Sequence, residues 1–159
     1  MSRPPNNMPA ERKANRRGAA RLAAVQALYQ MEVSGASVAD VQADFQAGRL
    51  PREESGFSDV EGDLDLFKLL VTQAVSRQTT IDRAIARRLS QGWRLERIDA
   101  VARAILRTGV VELEQCPETP TAVVINEFVE ISKDFFDGPE PGFINATLDA
   151  CARDVRQPL

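Results

Sequence analysis

Two stretches near the C-terminal end share one spacing. Val124, Phe128, Ile131 and Phe135 fall at offsets 0, 4, 7 and 11, and Ile144, Leu148, Cys151 and Val155 repeat it. An α-helix turns once in about 3.6 residues, so this spacing lays four apolar side chains along one stripe. A strand, alternating at every second residue, would scatter the same set over two faces. The run 123–131 is rich in β-branched residues and resembles a strand in composition, but its period is helical. Consecutive helices with one apolar stripe each must bury those stripes against one another, and the outcome is a helical bundle.

The rest of the chain reads the same way. Leu22, Val25, Leu28 and Tyr29 predict a first helix over about 17–34, stopped at Gly35. Ser37 with Asp40 forms a capping-box start for a short second helix that ends near Gly48, before Pro51. A loop over 48–58 leads to a second such start, Ser58 with Glu61, and to Leu66, Phe67, Leu70, Val71 and Ala74 on a third helix. Thr79 with Asp82 opens a fourth, carrying Ile81, Ile85 and Leu89 and interrupted at Gly92. Ile98, Val101, Ala102, Ile105 and Gly109 line a fifth over about 96–115. Thr119 is the expected N-cap of the sixth, with Pro120 at its first position. The Gly/Pro-rich stretch 137–142 is a turn before the seventh. The expected fold is all-α: about seven helices in two packed bundle subdomains, 16–77 and 78–156, of one domain over 16–159. Residues 1–15, rich in Pro, Asn and charge, read as a disordered basic arm.

Composition narrows the function. A chain of 159 residues is long enough to fold around its own core without disulfides or a structural metal. It has no histidine, which removes the commonest general base and metal ligand. Cys116 and Cys151 form no C-x-x-C pair and are expected as small buried apolar residues. P-loop, G-x-G-x-x-G and Ser/Cys–His arrangements are absent, so neither an enzyme nor a cofactor is expected. No apolar run approaches the roughly 20 residues of a membrane span, and no secretory signal is visible, so a cytoplasmic setting is expected.

The net charge of −3 conceals an asymmetry. Residues 1–30 hold six basic groups against Glu11, whereas the remainder is strongly acidic. Arg16, Arg17 and Arg21, preceded by Arg12 and Lys13, crowd the entrance of the first helix, where positive charge opposes the macrodipole. Guanidinium groups with Tyr29 further along that helix suit single-stranded RNA, pairing with phosphates and stacking on bases. The plain alternative is a solvated arm with Tyr29 in the core. Eight arginines over 77–107 read as solvated faces or an extension of that surface, and the acidic stretch 112–140 as an exposed face or a dock for a basic protein. Asn126 and Asn145 fall within apolar patterns and are expected as buried, backbone-bonded side chains.

Three segments together resemble the NusB family of bacterial transcription antitermination factors. They are RRGAARLAAVQALYQME at 16–32, the stretch 96–135 with its VARAILR and INEFVEISKDF runs, and FINATLDACA at 143–152. The resemblance implies a seven-helix, two-subdomain bundle. It also implies binding to the boxA element of ribosomal RNA leader transcripts together with NusE, a ribosomal small-subunit protein. That pair helps build an RNA polymerase antitermination complex with other Nus factors; the free chain would be a monomer or homodimer. By position the family's RNA-binding residues fall on Arg16, Arg17, Arg21, Tyr29, Arg103, Arg107, Lys133, Phe143 and Asn145. The chain departs from the family pattern at Gly18, Ala19, Ala102 and Gly142, and carries Pro139 and Pro141 in the preceding loop. Three alternatives differ in class. They are a NusB-like module of a ribosomal-RNA methyltransferase system, a helix-turn-helix DNA regulator, and a structural helical dimer.

Overall fold

The structure, a computed structural model, describes residues 10–48, 62–89 and 93–156, with side chains of the first helix from Ala14 onward. Seven α-helices lie among the described residues: α1 (Ala10–Ser34), α2 (Val38–Gln46), α3 (Leu64–Ser76), α4 (Gln78–Arg88), α5 (Ala100–Gln115), α6 (Thr121–Phe135) and α7 (Glu140–Val155). One 3₁₀ turn, Leu95–Arg97, precedes α5, and no strand is present among the described residues. The all-α expectation holds.

The helix boundaries expose what apolar spacing misses. α1 starts at Ala10, so residues 10–15 of the expected arm are helical. That segment, AERKAN, has no apolar stripe but is rich in helix formers. Gly35 ends the helix with φ +75°, a left-handed conformation that favours glycine. The Ser37–Asp40 capping box of α2 is present in both directions, at 3.0 and 3.1 Å. Ser58 and Glu61 lie outside the described residues; α3 is capped by Asp63, whose carboxylate accepts from the Leu66 N–H. α4 follows α3 after Arg77 alone, without a side-chain cap, and Asp82 turns to Arg107 instead. Asp99 caps α5 by accepting from the N–H of Val101 and Ala102. Pro120, not Thr119, holds the cap position of α6. The turn cluster is shorter than expected, because α7 begins at Glu140 with Pro141 in its first turn, where no N–H is needed.

α5 is the axle of the bundle. It packs against α1, α3, α4, α6 and α7, and ten of its residues are buried, on every side of the helix. A helix buried all round belongs in the middle of a core. The two stripes meet as expected: Val124, Phe128 and Ile131 on α6 and Ile144, Leu148 and Cys151 on α7 are all buried. The fourth member of each departs, Val155 being half-buried and Phe135 39% exposed. Both cysteines are buried and free. Burial pushes the Cys151 thiol up to about 11, so it stays protonated and acts as an apolar filler. The C-terminus of α5 is clamped by Arg156, whose guanidinium donates to the carbonyls of Leu113, Cys116 and Thr119 at 2.8, 2.6 and 2.5 Å. A cation placed on the last carbonyls of a helix also favours its dipole.

Gly109 sets the approach of α5 to α7. A Cβ built there would sit 2.8 Å from Leu148 Cδ2, and Leu148 is fully buried. Gly109→Val is therefore expected to destabilise the fold by about 1–3 kcal/mol through overpacking. Adding Leu148→Ala, which opens space at that contact, should make the valine cheaper in the double variant than in the single. Urea unfolding of the four proteins in the cycle checks this; strictly additive effects would refute the contact.

Candidate nucleic-acid interface

Because α1 begins at Ala10, Arg16 and Arg17 stand on its second turn rather than at its entrance, and Arg12 and Lys13 occupy the first. The side chains of Arg12 and Lys13 lie outside the described residues. Arg16 is half-buried. Arg17, 30% exposed at its side chain, donates to Thr119 Oγ1 at 3.2 Å and lies 3.7 Å from Glu112.

Arg21 faces inward. Its side chain is only 3% exposed and forms a two-pronged pair with Glu112, with both bonds at 2.7 Å, and Glu127 lies 3.9 Å away. Burial works to lower the pKa of this guanidinium. The hydrogen bonds and charge of Glu112, with Glu127 adding to them, outweigh burial and hold it above its ordinary value. Arg103 and Arg107 are also used within the fold. Arg103 donates to the carbonyls of Leu95 and Ile98 at 3.1 and 2.6 Å and to Glu32 at 2.5 Å. Arg107 forms a two-pronged pair with Asp82 at 2.8 and 2.9 Å. Lys133 is exposed and pairs with Glu130 one turn away.

Tyr29 is not a core residue. It is 40% exposed and lines an open groove of about 480 Å³ between α1 and α6, floored by Val25 and Val101 and walled by Gln26, Gln30, Val33 and Phe135. The groove brings together two aromatic rings and two side-chain amides. Gln26 Oε1 is buried there with no hydrogen-bond partner among the described residues. Apolar walls with a few polar groups are the usual make-up of a binding groove. Phe135 was hidden from sequence reasoning by its place in the α6 stripe. The available signal was its position on the last turn, where a stripe can outrun its partner helix.

Phe143 and Asn145 lie on the first turns of α7. Phe143 is half-buried and stacks on Trp93, with ring centroids 5.4 Å apart. Asn145 is exposed, as is Asn126, so neither is the buried asparagine that its apolar neighbours suggest. The site residues therefore do not form one patch. Arg17 reaches Thr119 in the α5–α6 turn, Tyr29 lines a groove with Val101, and Phe143 lines a separate cavity with Ala102. The described residues contain no cluster able to hold a metal ion and no helix long and apolar enough to cross a membrane.

Glu112 is the partner that makes the burial of Arg21 tolerable. Glu112→Gln keeps the volume but strands a buried guanidinium, and a loss of about 3–5 kcal/mol is expected. The double variant Arg21→Met, Glu112→Leu should recover most of that loss. Urea unfolding would decide, and an isolated Glu112→Gln within about 1 kcal/mol of wild type would show that the pair is not holding a buried charge.

Comparison with known proteins bears on the whole of this architecture. The family model described as the NusB family matches residues 18–153. The chain is similar to the transcription antitermination protein NusB of Caulobacter vibrioides, with 55% identity over 140 residues, 88% of this chain and 94% of that protein. It is 47% identical over 145 residues to the protein of that name from Mesorhizobium japonicum, covering 91% and 94% of the two chains. Its fold is similar to the solved structure of T. maritima NusB, with a TM-score of 0.69, 25% identity and coverage of 92% and 94%. The chain belongs to the NusB family of transcription antitermination proteins.

Proposed function

We propose that the chain is a non-enzymatic adaptor. It binds boxA-type single-stranded RNA of ribosomal RNA transcripts jointly with NusE, and the pair joins the RNA polymerase antitermination complex. The observation that carries this reading is the open groove that Tyr29 and Phe135 line together with Gln26 and Gln30. Exposed rings stack on unpaired bases of any sequence, and side-chain amides reach base edges. A duplex presents no free base faces, so this chemistry favours RNA over a double-stranded DNA target. Arg16 and Arg17, with Arg12 and Lys13 ahead of them, supply charge for phosphates along α1. Lys133 supplies it at the far end of α6.

In this reading Arg21 is a positioning residue. Its charge is neutralised inside the fold, and it fixes the pose of the turns that carry Arg16 and Arg17. Arg103 and Arg107 hold α5 to Glu32 and Asp82, so they shape the platform rather than meeting phosphates. The acidic surface of α6, including Glu130 and Asp134, suits a basic ribosomal protein.

Gel shifts on boxA RNA against a scrambled control, with and without NusE, test the proposal. Tyr29→Ala and Phe135→Ala should each weaken binding roughly 5- to 100-fold, the cost of one lost base stack. Arg17→Ala should weaken it less and make the salt dependence shallower by roughly 0.7 in log–log slope, the release expected for one phosphate on a single strand. Equal affinity for scrambled RNA, or equal affinity with and without NusE, would refute specific joint recognition.

A further inference from the structure

The chain enters α3 through a tight passage. Gly62 is buried, and a Cβ built on it would sit 2.5 and 2.8 Å from Cζ and Cε2 of Phe45, on α2. The Phe45 ring is stacked on the fully buried Phe67, with centroids 4.1 Å apart and planes within 5°, so it is not free to swing aside. The same Cβ would lie 3.6 Å from the backbone nitrogen of Ala20, an ordinary contact. Position 62 therefore runs close along the backbone of α1 with the ring of Phe45 beside it, and only a residue without a side chain fits.

The passage delivers one backbone donor. The next residue, Asp63, donates its N–H to the carbonyl of Arg16 at 3.0 Å. That carbonyl lies within α1, where the helical pattern already gives it the N–H of Ala20. A second donor from outside the helix is an added tie, made at the residue that opens the basic pair Arg16–Arg17. Side chains tie this part of α1 to the other helices, Arg17 to Thr119 and Arg21 to Glu112. The Asp63 bond is a backbone tie from the start of α3. The Asp63 carboxylate is engaged separately, accepting from the Leu66 N–H, so cap and tie can be separated by mutation.

We propose that Gly62 and the Asp63 N–H are positioning groups for RNA binding: they touch no RNA, and they set the pose in which Arg16 and Arg17 present their guanidinium groups to phosphates. Binding groups hold their geometry only as well as the contacts behind them do. Gly62 lets the chain come close enough for the bond, and the bond fixes the Arg16 peptide from which the two side chains project. This inference rests on the RNA-binding reading above.

Gel shifts with boxA RNA and NusE test it. Gly62→Ala should weaken RNA binding roughly 2- to 30-fold, the range for residues that act on a site without touching its ligand. It should also make the log–log salt slope shallower by roughly 0.7, one phosphate contact. Affinity for NusE without RNA should not change. Adding Phe45→Leu, which widens the passage, should restore affinity and slope. Asp63→Ala loses the cap and keeps the N–H, whereas Asp63→Pro also loses the N–H, at a φ of −75° that proline accepts. Asp63→Pro should therefore weaken RNA binding more than Asp63→Ala. Amide exchange in the unmodified chain gives a reading independent of any variant: the Asp63 N–H has no partner within α3 and should still exchange slowly. A fast-exchanging Asp63 amide, or wild-type RNA affinity in Gly62→Ala and Asp63→Pro, would overturn the positioning role and leave the RNA reading standing. So would a loss of NusE binding as large as the loss of RNA binding. No boxA binding by the unmodified chain with NusE would overturn both.

Discussion

A buried guanidinium tied to a buried carboxylate organises this molecule. Moving either charge out of water costs several kcal/mol, and only a well-placed opposite charge offsets that cost. Arg21 comes from α1 and Glu112 from α5, 91 residues apart in sequence. Their two parallel bonds fix both the separation and the rotation of those helices, which a single apolar contact would not do. Glu127 brings α6 into the same electrostatic group, and Arg17 approaches Glu112 from the surface side. The pose of the basic segment of α1 over the body is thus set by an interaction that solvent does not reach.

Around that joint the arginines divide by what their chemistry can satisfy. A guanidinium has five donors in a fixed fork, well suited to carboxylates and to clustered carbonyls. Arg21, Arg107 and Arg77 use it on carboxylates of other helices. Arg156 uses it on the carbonyls at the C-terminus of α5, and Arg103 on carbonyls ahead of the N-terminus of α5. Both ends of the central helix are therefore tied down by arginine. These contacts add specificity to a core whose apolar side chains alone would permit sliding.

The fold was legible because its apolar periodicity is strong: Phe128, Ile131, Ile144 and Leu148 all lie where their spacing places them, inside. Its failures have identifiable causes. The segment 10–15 is helical through propensity rather than amphipathicity, so a search for stripes overlooks it. Thr119 resembles an N-cap by type, but its hydroxyl receives Arg17, which no local pattern encodes. The site was less legible for the same reason. Whether an arginine is a surface charge or a bolt depends on a carboxylate far along the chain, as with Arg21 and Glu112 or Arg107 and Asp82. Whether an aromatic is buried or exposed depends on where its stripe outruns its neighbours, as with Tyr29 and Phe135.

This division changes what the charge asymmetry means. The count of basic groups over 1–30 overstates the charge available to a polyanion, since Arg21 is neutralised inside. The arginine-rich stretch 77–107 overstates it further, since Arg77, Arg88, Arg103 and Arg107 are each paired with a carboxylate. Fewer cations are available to phosphates than the raw count suggests, and in the proposed reading the exposed rings gain weight accordingly. Stacking tolerates sequence and resists salt better than phosphate contacts do, whereas phosphate contacts weaken with each released counterion. The proposed RNA surface, on an acidic body, would depend on a few positioned rings rather than on bulk positive charge. It would repel generic polyanions while retaining a strand whose bases are free to stack. That selectivity depends on where the rings stand: Tyr29 lines the groove between α1 and α6, and Trp93 is stacked on Phe143.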